Sequence, residues 1–331
     1  MGDNGCAMPD GATTAILVIH PGALGDVLQA VPALAALRRP GTRLTLAAQP
    51  RIATLFEGLR VVDTALSFDG LGLDALFSSE RVPDAVRARL ARFDGVISWF
   101  GARADTYRER LRAIVPRALL APPVPDGGTT AAVWQYLVTT LGEWGIGPPP
   151  SLAPLRVPPA WSAEARAALA SMGVHPARAL LIVHPGAGAA WKRWAAPLMA
   201  RAADRIARGT GCQVLVHEGP ADRDAVRPLM ELLEAPAPML REPSLPLLAG
   251  ALAQASAYLG PDSGVSHLAA AVGAPAVILF PAATRDRWAP WSPTALALPM
   301  GEQPEDFDRV CEAVTAQLGA PASSFGRRSS S

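Results

Sequence analysis

The sequence predicts an α/β protein made of two Rossmann-like domains facing across a cleft. Three observations carry that reading. Short apolar, β-branched runs alternate with helical stretches through both halves of the chain. The halves repeat one pattern, ILVIHPGALGD at 16–26 and LLIVHPGAGAA at 180–190, each an apolar strand closed by His-Pro-Gly-Ala. Residues 145–160 carry six prolines and no helical or strand period, so they separate the two repeats. The expected organisation is a disordered N-terminus (1–14), a first domain (15–150), a linker (151–160), a second domain (161–302), a helix (303–318) and a disordered tail (319–331).

The first strand is AILVIH (15–20), and Pro21, Gly22 and Gly25 turn the chain after it. A helix starts at Asp26, with Val27, Val31, Leu34 and Leu37 at helical spacing. Pro32 falls inside it and predicts a kink. RLTLAA (43–48) and GVISWF (95–100) are strands, with a helix near 52–57 between them. In the second half a helix is expected over 162–172. The strand ALLIVH (179–184), a helix over 195–208 and the strand QVLVHE (213–218) come next. A helix over 221–233, a helix over 244–255, the strand AYLG (257–260), a short helix from Ser263 and the strand PAVILF (275–280) complete the pattern. EDFDRVCEAVTAQL (305–318) reads as a final amphipathic helix.

Composition excludes several classes. Half of the 331 residues are hydrophobic and 18% are charged, which suits a globular protein with true cores. Thirty Lys and Arg against 29 Asp and Glu leave no basic excess for nucleic acid. Cys6, Cys212 and Cys311 are far apart and form no CxxC, as expected in a reducing compartment. The N-terminal segment lacks the basic start and apolar run of a signal peptide, and no stretch has the length and apolarity of a membrane span. The expected location is the cytoplasm, with peripheral membrane contact left open. Lys192 is the only lysine beside 29 arginines, so the position that keeps it suggests a need for a compact ammonium.

Four groups of residues can carry chemistry. In HPGAGAAWKRW (184–194), Gly186 and Gly188 expose amides, and Lys192 and Arg193 add charge before a helix. That is a diphosphate site or a capping turn with two solvated bases. In DSGVSHLAAAVG (262–273), Asp262 or Ser263 caps a helix of small residues, Gly264 leaves its amides open, and His267 lies one turn on. That is a second phosphate site or a capped core helix. Glu218 ends a strand where an acid can accept both ribose hydroxyls, or it is a surface glutamate. Asp26 is the commonest kind of helix cap, but at a strand end facing a cleft it can also take a proton from an incoming hydroxyl. Two acidic pairs, Asp222 with Asp224 and Asp306 with Asp308, fall in expected helices, where residues two apart point to different sides. No metal is therefore expected, and no cofactor is expected beside the substrates. No GxSxG, HExxH or Walker A motif occurs.

Together GALGDVLQAVPAL (22–34), HPGAGAAWKRW (184–194) and DSGVSHLAAAVGAPAVILF (262–280) resemble, in order and spacing, the ADP-heptose:lipopolysaccharide heptosyltransferase family, over roughly residues 15–300. The resemblance implies a GT-B fold and an inverting, metal-independent transfer of a heptose-like sugar. The donor would be an ADP-sugar and the acceptor a hydroxyl of a lipid-linked lipopolysaccharide core. It implies that Asp26 is the general base, and that Lys192 meets the donor phosphates with Arg193, Gly186 and Gly188 nearby. Asp262, Ser263, Gly264 and His267 would hold the donor sugar and diphosphate, and Glu218 the ribose or base. A monomer without nucleic-acid partners is expected, in peripheral contact with the inner membrane at most. Departures from the family pattern are Ala195 and Ala196 where proline is common, Trp191 in the phosphate turn, and arginines in place of acceptor-side lysines. Arg60, Arg103 and the neighbouring arginines to 117 are candidates for that role, beside Gly25. The alternatives are a related transferase with another nucleotide sugar and acceptor, and a two-lobed nucleotide-sugar-binding protein without chemistry.

Overall fold

The computed structural model describes residues 13–78, 80–127 and 130–319. The chain forms two compact units. The first contains residues 13–22, 31–127 and 136–149, and the second contains 23–30, 130–135 and 150–319. The expectations placed on residues 1–12, Cys6 among them, and on 320–331 lie outside the described residues.

The first unit is a five-stranded parallel sheet of β1 (Thr14–Ile19), β2 (Thr42–Ala48), β3 (Thr64–Ser67), β4 (Gly95–Ser98) and β5 (Ala118–Leu120). Its order is β3-β2-β1-β4-β5, the 3-2-1-4-5 winding of a Rossmann half. β1 sits between β2 and β4, with Ile19 opposite Ala47 and Ser98. Strands covered on both faces must be apolar throughout, and Leu17, Val18 and Ile19 are fully buried.

The first two helices of the chain are α1 (Leu24–Gln29) and α2 (Val31–Leu37). The break between them is the kink that Pro32 predicts. Proline has no N–H for the Leu28 carbonyl, and that carbonyl accepts instead from Trp291 Nε1 at 3.0 Å. α1 belongs to the second unit and α2 to the first. The first unit also holds α3 (Pro50–Gly58), α4 (Asp84–Ala91) and α5 (Asp105–Ile114), while α6 (Val133–Thr140) spans the division.

The second unit is a six-stranded parallel sheet of β6 (Leu180–Val183), β7 (Gln213–Glu218), β8 (Met239–Arg241), β9 (Ala257–Pro261), β10 (Ala276–Phe280) and β11 (Ala295–Pro299). Its order, β11-β10-β9-β6-β7-β8, is the same winding with a sixth strand. Around it lie α7 (Pro159–Ser171), α8 (Ala196–Thr210), α9 (Arg223–Leu232), α10 (Leu245–Leu252), α11 (Gly264–Ala271), α12 (Arg285–Trp288) and α13 (Pro304–Gly319). α7 begins inside the expected linker, because Pro159 is pre-set for a first helical turn. α13 packs Phe307, Val310 and Val314 into the same core as Met199, Ala203 and Ile206 of α8.

One expectation is corrected. The stretch 221–233 is not helical from its start, because α9 begins at Arg223. Asp222 precedes it and turns its carboxylate back to accept the Gly219 N–H at 2.9 Å. The phosphate turn leads into α8 at Ala196, one residue from the expected start, through a single 3-10 turn over Ala190–Lys192. The edge strands β3, β5, β8 and β11 are additions to the sequence reading. They are three to five residues long, too short to show a period.

Candidate active site

The site of the second unit is built where two helix starts meet. β9 delivers Asp262 and Ser263 at its carboxyl end, and Ser263 caps α11 by accepting the Ser266 N–H at 3.2 Å. Beneath the turn lies a closed hydroxyl network. Ser266 Oγ donates to the Pro261 carbonyl at 2.5 Å and lies 2.8 Å from the buried Tyr258 hydroxyl. Burial pushes the Tyr258 phenol well above the ordinary tyrosine range. The first turn of α11 is thereby held by its own side chains.

Glycines let α1 approach it. A Cβ on Gly25 would stand 3.1 Å from the His267 ring, and one on Gly264 would stand 3.0 Å from Leu24 Cβ. Side chains there would force the helices apart. Two further contacts hold α1: Trp291 Nε1 on the Leu28 carbonyl and Gln29 Nε2 on the Trp288 carbonyl, each at 3.0 Å. The result is a cleft of about 190 Å³ lined by Ala23, Gly25, Asp26, Gly188, Lys192, Asp262, Ser263, Gly264, His267 and Trp288.

Its charges are ordered. Lys192 Nζ meets Asp262 Oδ2 at 2.7 Å, and His267 Nε2 lies 3.4 Å from Asp262 Oδ1. Burial alone would raise the Asp262 carboxyl, but hydrogen bonds from His267 and Lys192 outweigh it and hold the group below the usual carboxylate range. Asp26 is half-buried and accepts the Ala23 N–H at 3.1 Å. It forms no ion pair among the described residues. Burial raises its carboxyl, against the Ala23 amide and the nearby charges of His267 and Lys192, which lower it, while Asp262 adds to the rise. Trp194, the last residue of the KRW triplet, is buried and donates to the Gly301 carbonyl at 2.9 Å, anchoring the segment that presents Lys192.

Of the residues singled out in the sequence, Gly25, Asp26, Gly188, Lys192, Asp262, Ser263, Gly264 and His267 line one cleft. The others do not. Gly186 is buried under Asp222. Arg193 is half-buried near His184. Glu218, buried at the end of β7, pairs with Arg241 Nε at 2.9 Å. Arg60 and Arg103 belong to the first unit. Arg60 is an exposed left-handed residue (φ 57°). Arg103 pairs with Asp126 at 2.5 Å, beside an apolar hollow of about 460 Å³ that includes Phe77 and Phe100. Asp306 and Asp308 lie in α13, paired with Arg309 and Arg205. Trp191 is 60% exposed, with the Lys192 ammonium 5.6 Å from its ring centre. Trp288, 6.0 Å from the same ammonium, escapes sequence reasoning because RDRW carries no motif.

A family model described as glycosyltransferase family 9 (heptosyltransferase) matches residues 129–315. Among solved structures, a family 9 glycosyl transferase from Veillonella parvula is similar at 18% identity and a TM-score of 0.74, covering 93% of this chain and 97% of that one. The ADP-heptose lipopolysaccharide heptosyltransferase II of E. coli is similar at 19% identity and 0.68, covering 92% and 98%. An E. coli heptosyltransferase solved with ADP is similar at 16% and 0.64, covering 92% and 100%. No curated protein matches in sequence. At such identities the structural likeness speaks for the fold, which is the GT-B class of two Rossmann-like units.

Proposed function

Because the chain belongs to glycosyltransferase family 9, the heptosyltransferase family, it is a glycosyltransferase, and we propose that it moves a heptose-like sugar from an ADP-sugar to a hydroxyl of a lipopolysaccharide-core-type acceptor. One observation carries the reading. A half-buried carboxylate without an ion pair among the described residues, Asp26, borders the same cleft as an ammonium and an open helix start. That combination suits removal of one proton and stabilisation of one leaving anion.

The transfer is a single displacement. The acceptor hydroxyl gives its proton to Asp26 while its oxygen bonds to the anomeric carbon. The bond from that carbon to the diphosphate breaks on the opposite face, so configuration inverts and the nucleoside diphosphate leaves with the electron pair. A carboxylate made more basic by burial is the better acceptor of that proton. Lys192, steadied by Asp262, and the amides at the start of α11 meet the developing charge. The cleft, about 190 Å³, is smaller than the ~300–1,000 Å³ that encloses a whole small molecule. It fits the sugar and diphosphate end, leaving Glu218 at the end of β7 for the ribose. No step uses a metal. The acceptor is read as lipid-linked, reached by peripheral contact, and among the described residues no helix is long and apolar enough to cross a membrane.

The test is a thermal-shift screen of ADP-, UDP- and GDP-sugars, followed by donor consumption with and without a core-oligosaccharide extract. Stabilisation by the ADP-sugar and consumption that needs the extract are expected. Preference for a uridine or guanosine donor, or turnover without acceptor, overturns the proposal.

A further inference from the structure

Two buried histidines take no part in the transfer. His184 closes β6 and His217 lies next to the end of β7, each at most 2% exposed. Their Nδ1 atoms face each other at 3.0 Å. Burial, the largest influence on both, lowers His184 to about 4 and His217 to about 3, so both rings are neutral. Without an ion one of these nitrogens donates to the other, and a tautomer shift in that ring turns both Nδ1 lone pairs to a shared ion. The third member is Asp222. The sequence places it on a helix face, but the structure turns it off the helix and back toward the strand ends. Its carboxylate and the two imidazole nitrogens all lie within 4.8 Å of one another. Glycines clear its place: a Cβ at Gly186 would stand 2.0 Å from Asp222 Oδ1, and one at Gly219 would stand 2.5 Å from Oδ2.

We propose that His184 Nδ1, His217 Nδ1 and the Asp222 carboxylate bind one divalent transition-metal ion of the zinc class. Two neutral imidazoles and one carboxylate are a ligand set that Zn²⁺ accepts, with water completing four-coordination. Bonds of about 2.0–2.1 Å at tetrahedral angles separate neighbouring nitrogens by about 3.3 Å, which a small parting of the 3.0 Å pair supplies. Asp222 is half-buried, and turning about its side chain brings its carboxylate from within 4.8 Å of the imidazoles to ligand distance. The ion ties the ends of β6 and β7 to the start of α9. Its role is to stiffen the sheet end beside Glu218, and it touches no reacting atom.

The test needs no activity, so it stands or falls apart from the transferase reading. The untagged full chain is stripped with chelator and titrated with Zn²⁺ by calorimetry and with Co²⁺ by visible absorption. Expected are one equivalent of each ion and the d–d bands of a four-coordinate nitrogen–oxygen site. Asp222→Asn and His217→Gln should each weaken binding at least ~10-fold, since loss of an outer-shell partner alone costs that much. Asp222→Asn keeps the side-chain volume and decides the matter if His217→Gln does not fold. Less than one equivalent, missing d–d bands, or unchanged affinity in Asp222→Asn overturns the proposal.

Discussion

At the end of β1, His20 is buried, its Nδ1 accepts the Gly22 N–H at 3.3 Å, and Trp99 stands edge-on at 5.8 Å. At the end of β6, His184 is equally buried but faces His217. Both head the tetrapeptide His-Pro-Gly-Ala, and both end a central strand of a parallel sheet. The tetrapeptide sets the turn, while the neighbouring strands set the chemistry. Around His20 they bring an indole and leave Nε2 without a partner among the described residues. Around His184 they bring a second imidazole and a carboxylate. The two turns also continue differently: the first runs directly into α1 with Asp26, and the second runs through a 3-10 turn with Lys192.

Under the proposed reaction, proton transfer belongs to the first turn and charge stabilisation to the second. The largest expected effect breaks that division directly. Asp26→Asn should lower kcat by at least ~100-fold with donor KM near normal, and steady-state kinetics that show full turnover would remove the base from Asp26. Lys192→Ala should instead weaken ADP binding by ~10-fold or more, the worth of a charged hydrogen bond. Unchanged affinity in calorimetry would mean the ammonium serves only Asp262.

Smaller effects sharpen the contrast within and between the turns. Gly186→Ala pushes a methyl into Asp222 and should cost up to ~3 kcal/mol, while Gly188→Ala, open to solvent, should leave urea stability unchanged. Equal stabilities would show that the turn yields freely. In metal-free protein, His184→Leu should destabilise by ~1 kcal/mol more than His20→Leu, because it leaves the buried His217 nitrogen unpaired, whereas His20→Leu frees the half-buried Gly22 N–H.

The smallest effect is on pH dependence. As the proposed base Asp26 would act only when ionised, and its carboxyl is raised, so the acid limb of kcat/KM should lie above the ordinary aspartate range. Asp262 shifts the other way. Its stabilising contribution is complete above its unfolded value and fades as pH falls through its lowered folded value. An acid limb at or below pH ~3.9 would sever Asp26 from the rate.

Much of this is legible in the residues. β1, β2, β4, β6, β7, β9 and β10 are largely buried apolar runs because strands covered on both faces have no polar side to spare. The DSG turn is legible because serine caps and glycine packs by local rules. The edge strands are not, being short and half-exposed. Nor is Trp288, which reaches the cleft by a fold-back that no spacing encodes. Asp222 reads as helical because a cap and a first-turn residue differ by one position.

The sequence by itself determined the central strands of the two sheets, the turns that end them, and a helix broken before Pro32. Those depend on period, side-chain branching and backbone hydrogen bonding within a few residues. Only the tertiary structure decided that α1 packs glycine to glycine against α11, placing Asp26 with Lys192 and Asp262, and that His184 meets His217. Such meetings join residues far apart in the chain, and sheet order and close approach, which no local rule contains, bring them together.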